Sequence, residues 1–404
     1  MTTSTPSYNH RPPLWTFLRG ELKARGPVFT PFNMITGVIV LVSLAAIAVR
    51  FVKGLASITN LNQAYPWGIW IGFDVMTGVA FAGGAYIITC AVYVLHAERF
   101  HPIVRPTVLN GFLSYLFYAG ALFLDLGRPW HMINPIIGNS FGYNSILFLV
   151  AWHFLLYMAS EAIEFSPVVA EWLGLERARS FLSKLTLVTV IFGVTLSMLH
   201  QSGLGALFLF CASKIHPLWY TEFLPLLFLV SSIFAGLSMI IFEGTISHRV
   251  FRTRIDPNKH ASFEEIVVSL AKGAAVSMYV YLFFKILVFV HGQHWNLLLS
   301  KWGAWYAFEV IGLVAIPCAL FTHGYQKRRV GAIRIASVLT LLGIIINRLN
   351  VSVIAFNWNN PATYFPSIYE LLVTLMVVSI EIWVFRWVVY RMPVLQQIAA
   401  TGRN

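Results

Sequence analysis

An aspartate stands inside a long apolar run of this sequence, in the segment PWGIWIGFDVMTG at positions 66–78. An ionised carboxylate is costly in hydrocarbon, so Asp74 is expected to face a protein interior or a water-filled pocket. Trp67 and Trp70 are typical of a membrane boundary, which puts Asp74 about 10 Å deeper at about 1.5 Å per residue. Asp74 is therefore a candidate for binding a polar headgroup or carrying a proton. The alternative is a buried aspartate that caps a helix or pairs with a cation.

Further polar side chains are expected at the same surface, where two other apolar stretches end in LDLGRPWH (124–131) and LHQSGLG (199–205). These side chains are Asp125, Arg128, His131, His200 and Gln201. Asp125 and Arg128 are three residues apart at a helix end, which also suits a simple salt bridge. Together these residues would bring acids, imidazoles and aromatic rings to one face of the protein.

A polar ladder is predicted below that surface. His153, Tyr157 and Glu161 follow one another along one apolar stretch, while Tyr93 and Glu98 mark the opposite surface. If the stretch that carries the ladder neighbours the one that carries the aspartate, these groups form a path for protons. The alternative is that His153 is a core histidine whose hydrogen bonds are satisfied.

The elements that must position these residues are helices that cross a membrane. Of 404 residues, 58% are hydrophobic and 11% charged, which excludes an ordinary soluble globule. No period-two alternation typical of a β-barrel is present, so the predicted fold class is all-α, a polytopic membrane protein with ten transmembrane helices. The predicted spans are 32–52, 67–95, 108–127, 144–163, 184–201, 222–246, 265–290, 304–323, 331–350 and 367–389.

The net charge of +12 follows membrane topology and does not indicate a nucleic-acid surface. Nineteen Lys and Arg residues fall in the loops and tails of one side, and five fall on the other. The five are Arg50, Lys53, Arg128, Lys214 and Lys301. This positive-inside bias predicts cytoplasmic N- and C-termini. The N-terminal segment has no cleavage pattern, so the first span is expected to be an uncleaved anchor.

No redox centre held by this chain alone is expected. Cys90, Cys211 and Cys318 lie far apart and form no CxxC motif. A haem would need two facing histidines at one depth, and only His153 is placed securely at mid-membrane. Flavin, phosphate-binding and zinc-hydrolase motifs are also missing, so any electrons must come from a partner protein.

The side chains at the outer surface suit a quinone headgroup. A quinone needs hydrogen-bond donors for two carbonyl oxygens, a proton source for each reduced oxygen, and an apolar slot for its tail. The aromatic loop AFNWNNPATYFPS (355–367) is expected to dock another subunit. Four charged residues of the later spans are expected to form mutual ion pairs in a second bundle, namely Lys285, Glu309, Arg348 and Glu370.

Seven segments, in order, resemble the NrfD/HybB (PsrC-like) family of integral membrane subunits. They are PWGIWIGFDVMTG, HPIVRP, HQSGLG, KIHPLW, IFEG, AFN and YFPSIYELL, within residues 30 to 390. The resemblance is to the ten-span branch, which includes HybB of uptake hydrogenases and QrcD of menaquinone reductase complexes, and it favours the QrcD-like members. It implies two four-helix bundles, spans 2–5 and 6–9, flanked by spans 1 and 10.

The resemblance also implies that menaquinone is reduced near the periplasmic end of the first bundle, against a four-cluster iron–sulfur subunit, with no haem, iron–sulfur cluster or flavin in this chain. A molybdopterin-oxidoreductase-like or hydrogenase subunit and a multihaem cytochrome c are further expected partners. Asp74 and His200 are the expected catalytic residues. The expected quinone-binding residues are Asp74, Asp125, Arg128, His131, His200, Gln201 and Trp67, and the proton path is His153, Tyr157, Glu161, Glu98 and Tyr93. Protons taken from the cytoplasm would make the reaction electrogenic.

The predicted organisation is a cytoplasmic segment (1–31), one transmembrane domain (32–390) and a cytoplasmic tail (391–404), in a bacterial inner membrane. A subunit of a periplasmic uptake hydrogenase, of the HybB type, is the nearest alternative. A secondary transporter or a simple anchor for a periplasmic enzyme are alternatives of other classes. Transporters often have broken helices in paired positions at mid-membrane, whereas the polar residues here gather near one surface.

Overall fold

The computed structural model describes residues 14–25, 27–134, 142, 144–252, 255 and 257–395. Ten helices in this part of the chain are long and apolar enough to cross a membrane, which confirms the predicted all-α class. Spans 1 to 10 are Pro31–Lys53, Trp70–Val94, Glu98–Asp125, Ile146–Leu173, Glu176–Cys211, Leu224–Val250, Ser262–Gly292, Lys301–Gln326, Val330–Ile354 and Ile368–Arg391. Of the predicted terminal segments, residues 1–13 and 396–404 lie outside the described residues.

Successive spans alternate in direction, so their ends form two faces. The basic end contains Pro31, Val94, Glu98, Leu173, Glu176, Val250, Ser262, Gln326, Val330 and Arg391. The aromatic end contains Lys53, Trp70, Asp125, Ile146, Cys211, Leu224, Gly292, Lys301, Ile354 and Ile368. A short helix, Leu14–Glu21, which the sequence analysis did not predict, lies at the basic end. Its Phe17 ring lies 5.3 Å from the ring of Trp172.

The ten spans form two bundles. Spans 2–5 pack consecutively and close on themselves where span 5 meets span 2, and spans 6–9 do the same. Spans 1 and 10 pack against each other, and span 10 also lies against span 3. The two-bundle architecture predicted from the family resemblance is therefore confirmed.

The bundles meet through direct backbone contact between spans 2 and 6. A methyl group on Gly236 would overlap the backbone of Gly83 and Gly84, so no side chain separates the two helices there. Close by, the hydroxyl groups of Tyr86 and Ser232 lie 3.1 Å apart. Small residues commonly allow membrane helices to approach this closely.

Spans 2 and 8 share a local sequence and a backbone form. Residues 67–75 and 302–310 both follow the pattern W-G-x-W-x-x-F-acid-V, with Asp74 and Glu309 at the acid position. Each acid lies in a π-helical stretch, Trp70–Val75 in span 2 and Phe308–Ala315 in span 8. Such stretches often occur at functional sites. Each bundle thus contains one acid in the same local context.

Two loop segments at the aromatic end, 214–216 and 355–357, form a short antiparallel pairing that we call the clasp. His216 N donates to Ala355 O at 2.9 Å, and Asn357 N donates to Lys214 O at 2.6 Å. The first segment links spans 5 and 6, and the second links spans 9 and 10. The clasp therefore joins the loop that connects the two bundles to the loop that follows span 9, the last span of the second bundle.

His216 of the clasp is held in an aromatic cage. Its ring centroid lies 5.5, 5.1 and 4.7 Å from those of Trp219, Trp302 and Trp358. Burial, and to a smaller extent the nearby His294, lowers the pKa of His216 to about 4. The neutral ring accepts the backbone N–H of Leu218 at Nδ1, 3.2 Å away.

Gly236→Ala should destabilise the protein, because the added methyl group must push spans 2 and 6 apart. Overpacking of this kind costs about 1–3 kcal/mol. Gly120→Ala is the matched control, since a methyl group at Gly120 would meet no atom within 4 Å. The measurement is the midpoint of thermal unfolding in mild detergent. Equal midpoints for the two variants would contradict direct backbone contact between the bundles.

The protein should lose stability as the pH falls from about 6.5 to about 4. The usual histidine pKa is about 6.5, so in this window the unfolded chain binds more protons at His216 than the folded chain, and protonation favours unfolding. In His216→Asn, whose amide oxygen can still accept the Leu218 N–H, the decrease should be smaller. His96→Asn, at an exposed histidine, is the control. The measurement is the midpoint of thermal unfolding at several pH values in this window. An equal dependence of the midpoint on pH in wild type, His216→Asn and His96→Asn would contradict a role for His216.

Candidate functional site

Asp74 lies fully buried where span 2 meets spans 3 and 10. Its Oδ2 accepts a hydrogen bond from Thr374 Oγ1 at 3.2 Å, while its Oδ1 has no partner. None of the ion pairs between described residues includes Asp74. Within the described part of the chain, neither a helix end nor a cation satisfies this carboxyl group.

Glu309, at the equivalent position of the second bundle, has the opposite environment. Three side chains donate hydrogen bonds to its carboxylate, Trp219 Nε1 at 2.7 Å, Asn347 Nδ2 at 2.7 Å and Asn350 Nδ2 at 2.5 Å, and the Lys285 ammonium lies at ion-pair distance, 3.9 Å away. A buried carboxylate with this many partners stabilises the surrounding packing and has no free site for a ligand. The comparison points to Asp74 as the acid that is available for chemistry.

The ion-pair network predicted for the second bundle is present in part. The pair of Lys285 and Glu309 is confirmed. Arg348 donates to Asn347 Oδ1 at 2.9 Å and to Ser231 Oγ at 2.7 Å. It therefore reaches Glu309 through the Asn347 side chain rather than by a direct ion pair.

The prediction for Glu370 was wrong. This residue lies in the first turn of span 10, outside the second bundle, and forms a capping box with Ser367. It also accepts the backbone N–H of Asn60 at 3.0 Å and the hydroxyl of Tyr364. Burial raises the pKa of Tyr364, and the neighbouring Glu370 carboxyl raises it further by a smaller amount. Glu370 thus anchors the aromatic-end loops to span 10, and the Ser367-x-x-Glu370 spacing before an apolar run was a signal for its capping role.

His200 and Gln201 lie buried inside the first bundle. His200 Nδ1 donates to Val150 O at 3.1 Å, which leaves Nε2 as an acceptor without a partner. Gln201 Nε2 donates to Val79 O at 2.8 Å, and its Oε1 is also unpaired. Among the described contacts none joins His200 to Asp74, so the two candidate catalytic residues have separate surroundings.

A row of buried polar atoms continues from His200 down the first bundle. The Tyr115 ring lies 5.7 Å from that of His200 and 4.7 Å from that of Tyr157. The atoms of this row that make no hydrogen bond of normal geometry are Tyr115 Oη, His153 Nδ1, Tyr157 Oη, Glu161 Oε1 and Oε2, and Ser197 Oγ. Tyr115 nevertheless lies close to Ser197 and Gln201, and Tyr157 lies close to Glu161, so parts of the row are near enough to interact with one another. Buried polar atoms in proteins nearly always have partners, so this row suits a chain of waters or a polar ligand.

Towards the basic end the row leads to Glu164, Tyr93 and Glu98. The carboxyl of Glu161 fits between spans because Gly111 has no side chain, since a methyl group there would overlap it. Glu164 is close enough to Tyr93 to act on it electrostatically, as is Glu98. Glu98 is exposed. The residues predicted for a proton path therefore lie in order from the bundle interior to the basic end.

The other predicted headgroup residues are spread over the aromatic end. Asp125 has an unpaired Oδ1, and Arg50 of span 1 is the cation that acts on it. Arg128 and His131 are exposed, and no ion pair between Asp125 and Arg128 occurs among the described residues. Trp67 is half-buried and packs on Phe356 of the clasp, with 5.7 Å between ring centroids. These residues form a rim at the aromatic end of the bundle.

Sequence reasoning missed several polar residues that the fold brings to these two places. Tyr115 and Ser197 join the row below His200, and Tyr118, Thr374 and Glu381 gather near Asp74. Tyrosine, serine and threonine are common in apolar helices, so their types gave no signal. The repeated W-G-x-W pattern was a usable signal, because it invites the comparison of Asp74 with Glu309.

Known proteins resemble this chain over most of its length. A family model described as "Polysulphide reductase, NrfD" matches residues 57–356. A protein of Nitratidesulfovibrio vulgaris (strain Hildenborough) is 42% identical over 372 residues, 92% of this chain and 96% of that protein. The probable Ni/Fe-hydrogenase 2 b-type cytochrome subunit of Escherichia coli K12 is 30% identical over 384 residues, 94% of this chain and 96% of that protein. The menaquinone reductase integral membrane subunit of N. vulgaris is 24% identical over 385 residues, 86% of this chain and 87% of that protein.

The matched region contains spans 2 to 9, which are the two bundles, and all of the clasp except Asn357. It therefore includes Asp74, the row below His200 and the satisfied acid of the second bundle. The family resemblance stated from seven short segments is confirmed. This chain belongs to the NrfD family.

Proposed function

We propose that this chain is the quinone-site subunit of a multisubunit oxidoreductase of a bacterial inner membrane, and that menaquinone is reduced in the outer part of its first bundle. The observation that carries the proposal is the row of buried, unpaired polar atoms that begins at His200 Nε2. A quinone headgroup and its protons require groups of this kind. Relatives named as menaquinone reductase and hydrogenase subunits support a role in a redox complex.

Quinone reduction requires the protein to supply a proton to each of the two quinone oxygens. Reduction of a quinone takes two electrons and two protons, with one proton for each carbonyl oxygen. His200 Nε2 can accept a proton and pass it to one oxygen, and the unpaired Oδ1 of Asp74 can serve the other. Gln201 Oε1 can accept a hydrogen bond from the reduced headgroup, and the rim residues limit access from the aromatic end.

Protons reach the headgroup through the row of the first bundle. In this proposal the basic end faces the cytoplasm and holds both termini, as the positive-inside bias predicts. Protons enter at Glu98 and pass Tyr93, Glu161, Tyr157 and His153. Electrons that arrive from the periplasmic side and protons that arrive from the cytoplasm make the reaction electrogenic.

Electrons come from a periplasmic iron–sulfur subunit with four clusters, docked at the aromatic end. Large apolar side chains are exposed beside the clasp, with Leu299 95% and Phe365 75% exposed, which suits a protein interface. A molybdopterin-oxidoreductase-like or hydrogenase subunit and a multihaem cytochrome c complete the proposed electron route. Menaquinone is bound as substrate.

We propose that this chain acts without a haem of its own. Two axial imidazoles must face each other across the macrocycle. His200 donates to the backbone of span 4 at Val150, less than one turn from His153, so the two histidines lie at nearly one depth on neighbouring spans rather than on spans that face each other across the bundle. Among the described residues no group of three or more His, Cys, Asp or Glu side chains could hold a metal ion.

A subunit of a periplasmic uptake hydrogenase is the second candidate. It is favoured by identity, which is 30% with the hydrogenase subunit and 24% with the menaquinone reductase subunit. The two candidates share the quinone site and differ in the partner that delivers electrons. Purification of the native complex in mild detergent and identification of its subunits distinguish them.

Asp74→Asn should lower the rate of menaquinone reduction by the complex at least tenfold, because the amide cannot give a proton to a reduced oxygen. Glu222→Gln, an exposed carboxyl at the same end, is the control and should stay within twofold of wild type. The measurement is quinone reduction with the native electron donor, beside reduction of an artificial acceptor that bypasses the membrane subunit. Full quinone reduction by Asp74→Asn would exclude this residue from the chemistry.

Replacing Glu161 and His153 with leucine should abolish most of the membrane potential that the complex generates in liposomes, since both lie on the proposed proton path. Glu171→Gln is the control, because Glu171 pairs with Arg105 at the basic end and lies off the path. The potential is followed with a voltage-sensitive dye during quinone reduction. An undiminished potential in the double variant would refute proton uptake through this row.

A further inference from the structure

A second group of acids, two of them buried and one half-buried, runs along the seam between the bundles and span 10, apart from the row below His200. Its members are Glu243 of span 6, Glu381 of span 10 and Asp74 of span 2. Spans 3 and 10 pack against each other on one side of this seam, and spans 2 and 6 meet on the other. No ion pair between described residues includes any of the three acids.

The seam begins at a cavity near the basic end. The cavity has a volume of about 60 Å³, enough for a few water molecules, and lies between spans 3, 6 and 7. Glu243 and Ser247 of span 6 and Thr107 of span 3 provide polar wall atoms. Glu243 lies seven residues before the end of span 6, about 10 Å from the basic end at about 1.5 Å per residue. The cavity thus gives water molecules room beside the Glu243 carboxyl, below the membrane surface.

Glu381 is the middle member of the seam. It lies close enough to Glu243 for the two carboxyls to act on each other electrostatically. Its Oε1 accepts a hydrogen bond from Ser114 Oγ at 2.7 Å, and the Tyr118 side chain lies beside it. It is 9% exposed, near the midpoint of span 10.

Tyr118 connects Glu381 to Asp74. Its ring lies against Gly78, one turn beyond Asp74 on span 2, where any larger residue would overlap it. The Tyr118 hydroxyl is close enough to the carboxyls of Glu381 and Asp74 to interact with both electrostatically. At the upper end Asp74 presents its unpaired Oδ1, which is the free atom that a proton arriving along the seam would reach. Tyr115, one turn earlier on span 3, faces the His200 row instead.

We propose that this seam is a second proton route, from the cavity at Glu243 through Glu381 and Tyr118 to Asp74. The proposal rests on the proposed function and completes its proton balance. Each quinone that takes up two electrons also takes up two protons, one at each oxygen. The His200 row brings one of these protons and the seam brings the other, and both come from the basic end. Asp74 and His200 then need no mutual contact, because each serves its own oxygen.

The test uses the complete complex, with Glu381→Gln and Glu243→Gln as seam variants and Glu171→Gln as control. Each seam variant should reduce menaquinone at least tenfold more slowly than the control, while the quinone that co-purifies stays within twofold. Glu381→Asp should recover part of the lost rate, which a purely structural role would not predict. Tyr118→Phe removes one hydroxyl, should also slow the reaction, and avoids a change of charge in the core.

A second measurement does not depend on turnover. Dicyclohexylcarbodiimide forms a stable N-acylurea with protonated carboxyls in apolar surroundings, and peptide mass spectrometry locates it. Glu243 and Glu381 should be labelled in wild type, and equally in Glu161→Gln, since the two routes are separate. The seam is refuted if both glutamate variants keep rates within twofold of the control and neither residue is labelled. Active Glu243→Gln and Glu381→Gln beside an inactive Asp74→Asn would refute the seam and leave the proposed function standing, whereas a fully active Asp74→Asn would exclude this residue from the chemistry and remove the end point of the seam.

Discussion

The arrangement of this protein follows from the cost of placing polar groups in an apolar interior. Helices satisfy their own backbone, so each buried side-chain polar atom must find a partner or have another reason to be there. In the second bundle the acid Glu309 has its partners, with three hydrogen-bond donors and the Lys285 ammonium around the carboxylate. In the first bundle and its seam with span 10, one polar atom each of His200, Tyr157 and Asp74 and both carboxyl oxygens of Glu161 lack a partner. The two bundles share a design and differ in whether their acids are satisfied.

The repeated W-G-x-W pattern makes this difference informative. Asp74 and Glu309 have the same sequence neighbours and the same π-helical backbone, so their unlike environments arise from what other spans bring to them. Span 9 brings two asparagines to Glu309, and span 10 brings one threonine to Asp74. The second bundle is thereby fixed around an acid whose hydrogen bonds are made. The first keeps groups that can change their protonation and hydrogen bonding, as proton transfer requires.

Much of the fold was predictable, because hydrophobic length and loop charge are properties of single segments. Ten spans were predicted from hydrophobic length, the two bundles from the family resemblance, and the order of the His153 ladder from helix direction. The Ser367-x-x-Glu370 spacing before an apolar run is a capping-box signature that the sequence analysis overlooked, whereas the bond from Asn60 to Glu370 depends on a loop from far along the chain and could not be predicted. Nor could the sequence show that Asp74 and His200 face different neighbours. That depends on the rotation of each helix about its axis, which packing sets and residue type does not.

The contact of Gly236 with Gly83 and Gly84 also limits how the molecule can move. Two helices whose backbones touch at one point cannot slide along each other without forcing side chains through that point, yet they can tilt about it. The clasp adds a second attachment between the halves at the aromatic end. Span 5 also packs along span 6, and Gly205 lies against the backbone of Leu224 and Pro225, so the two bundles are joined at several depths and cannot slide past each other as rigid halves. The Gly205 contact and the clasp both lie towards the aromatic end, whereas the cavity beside Glu243 lies near the basic end.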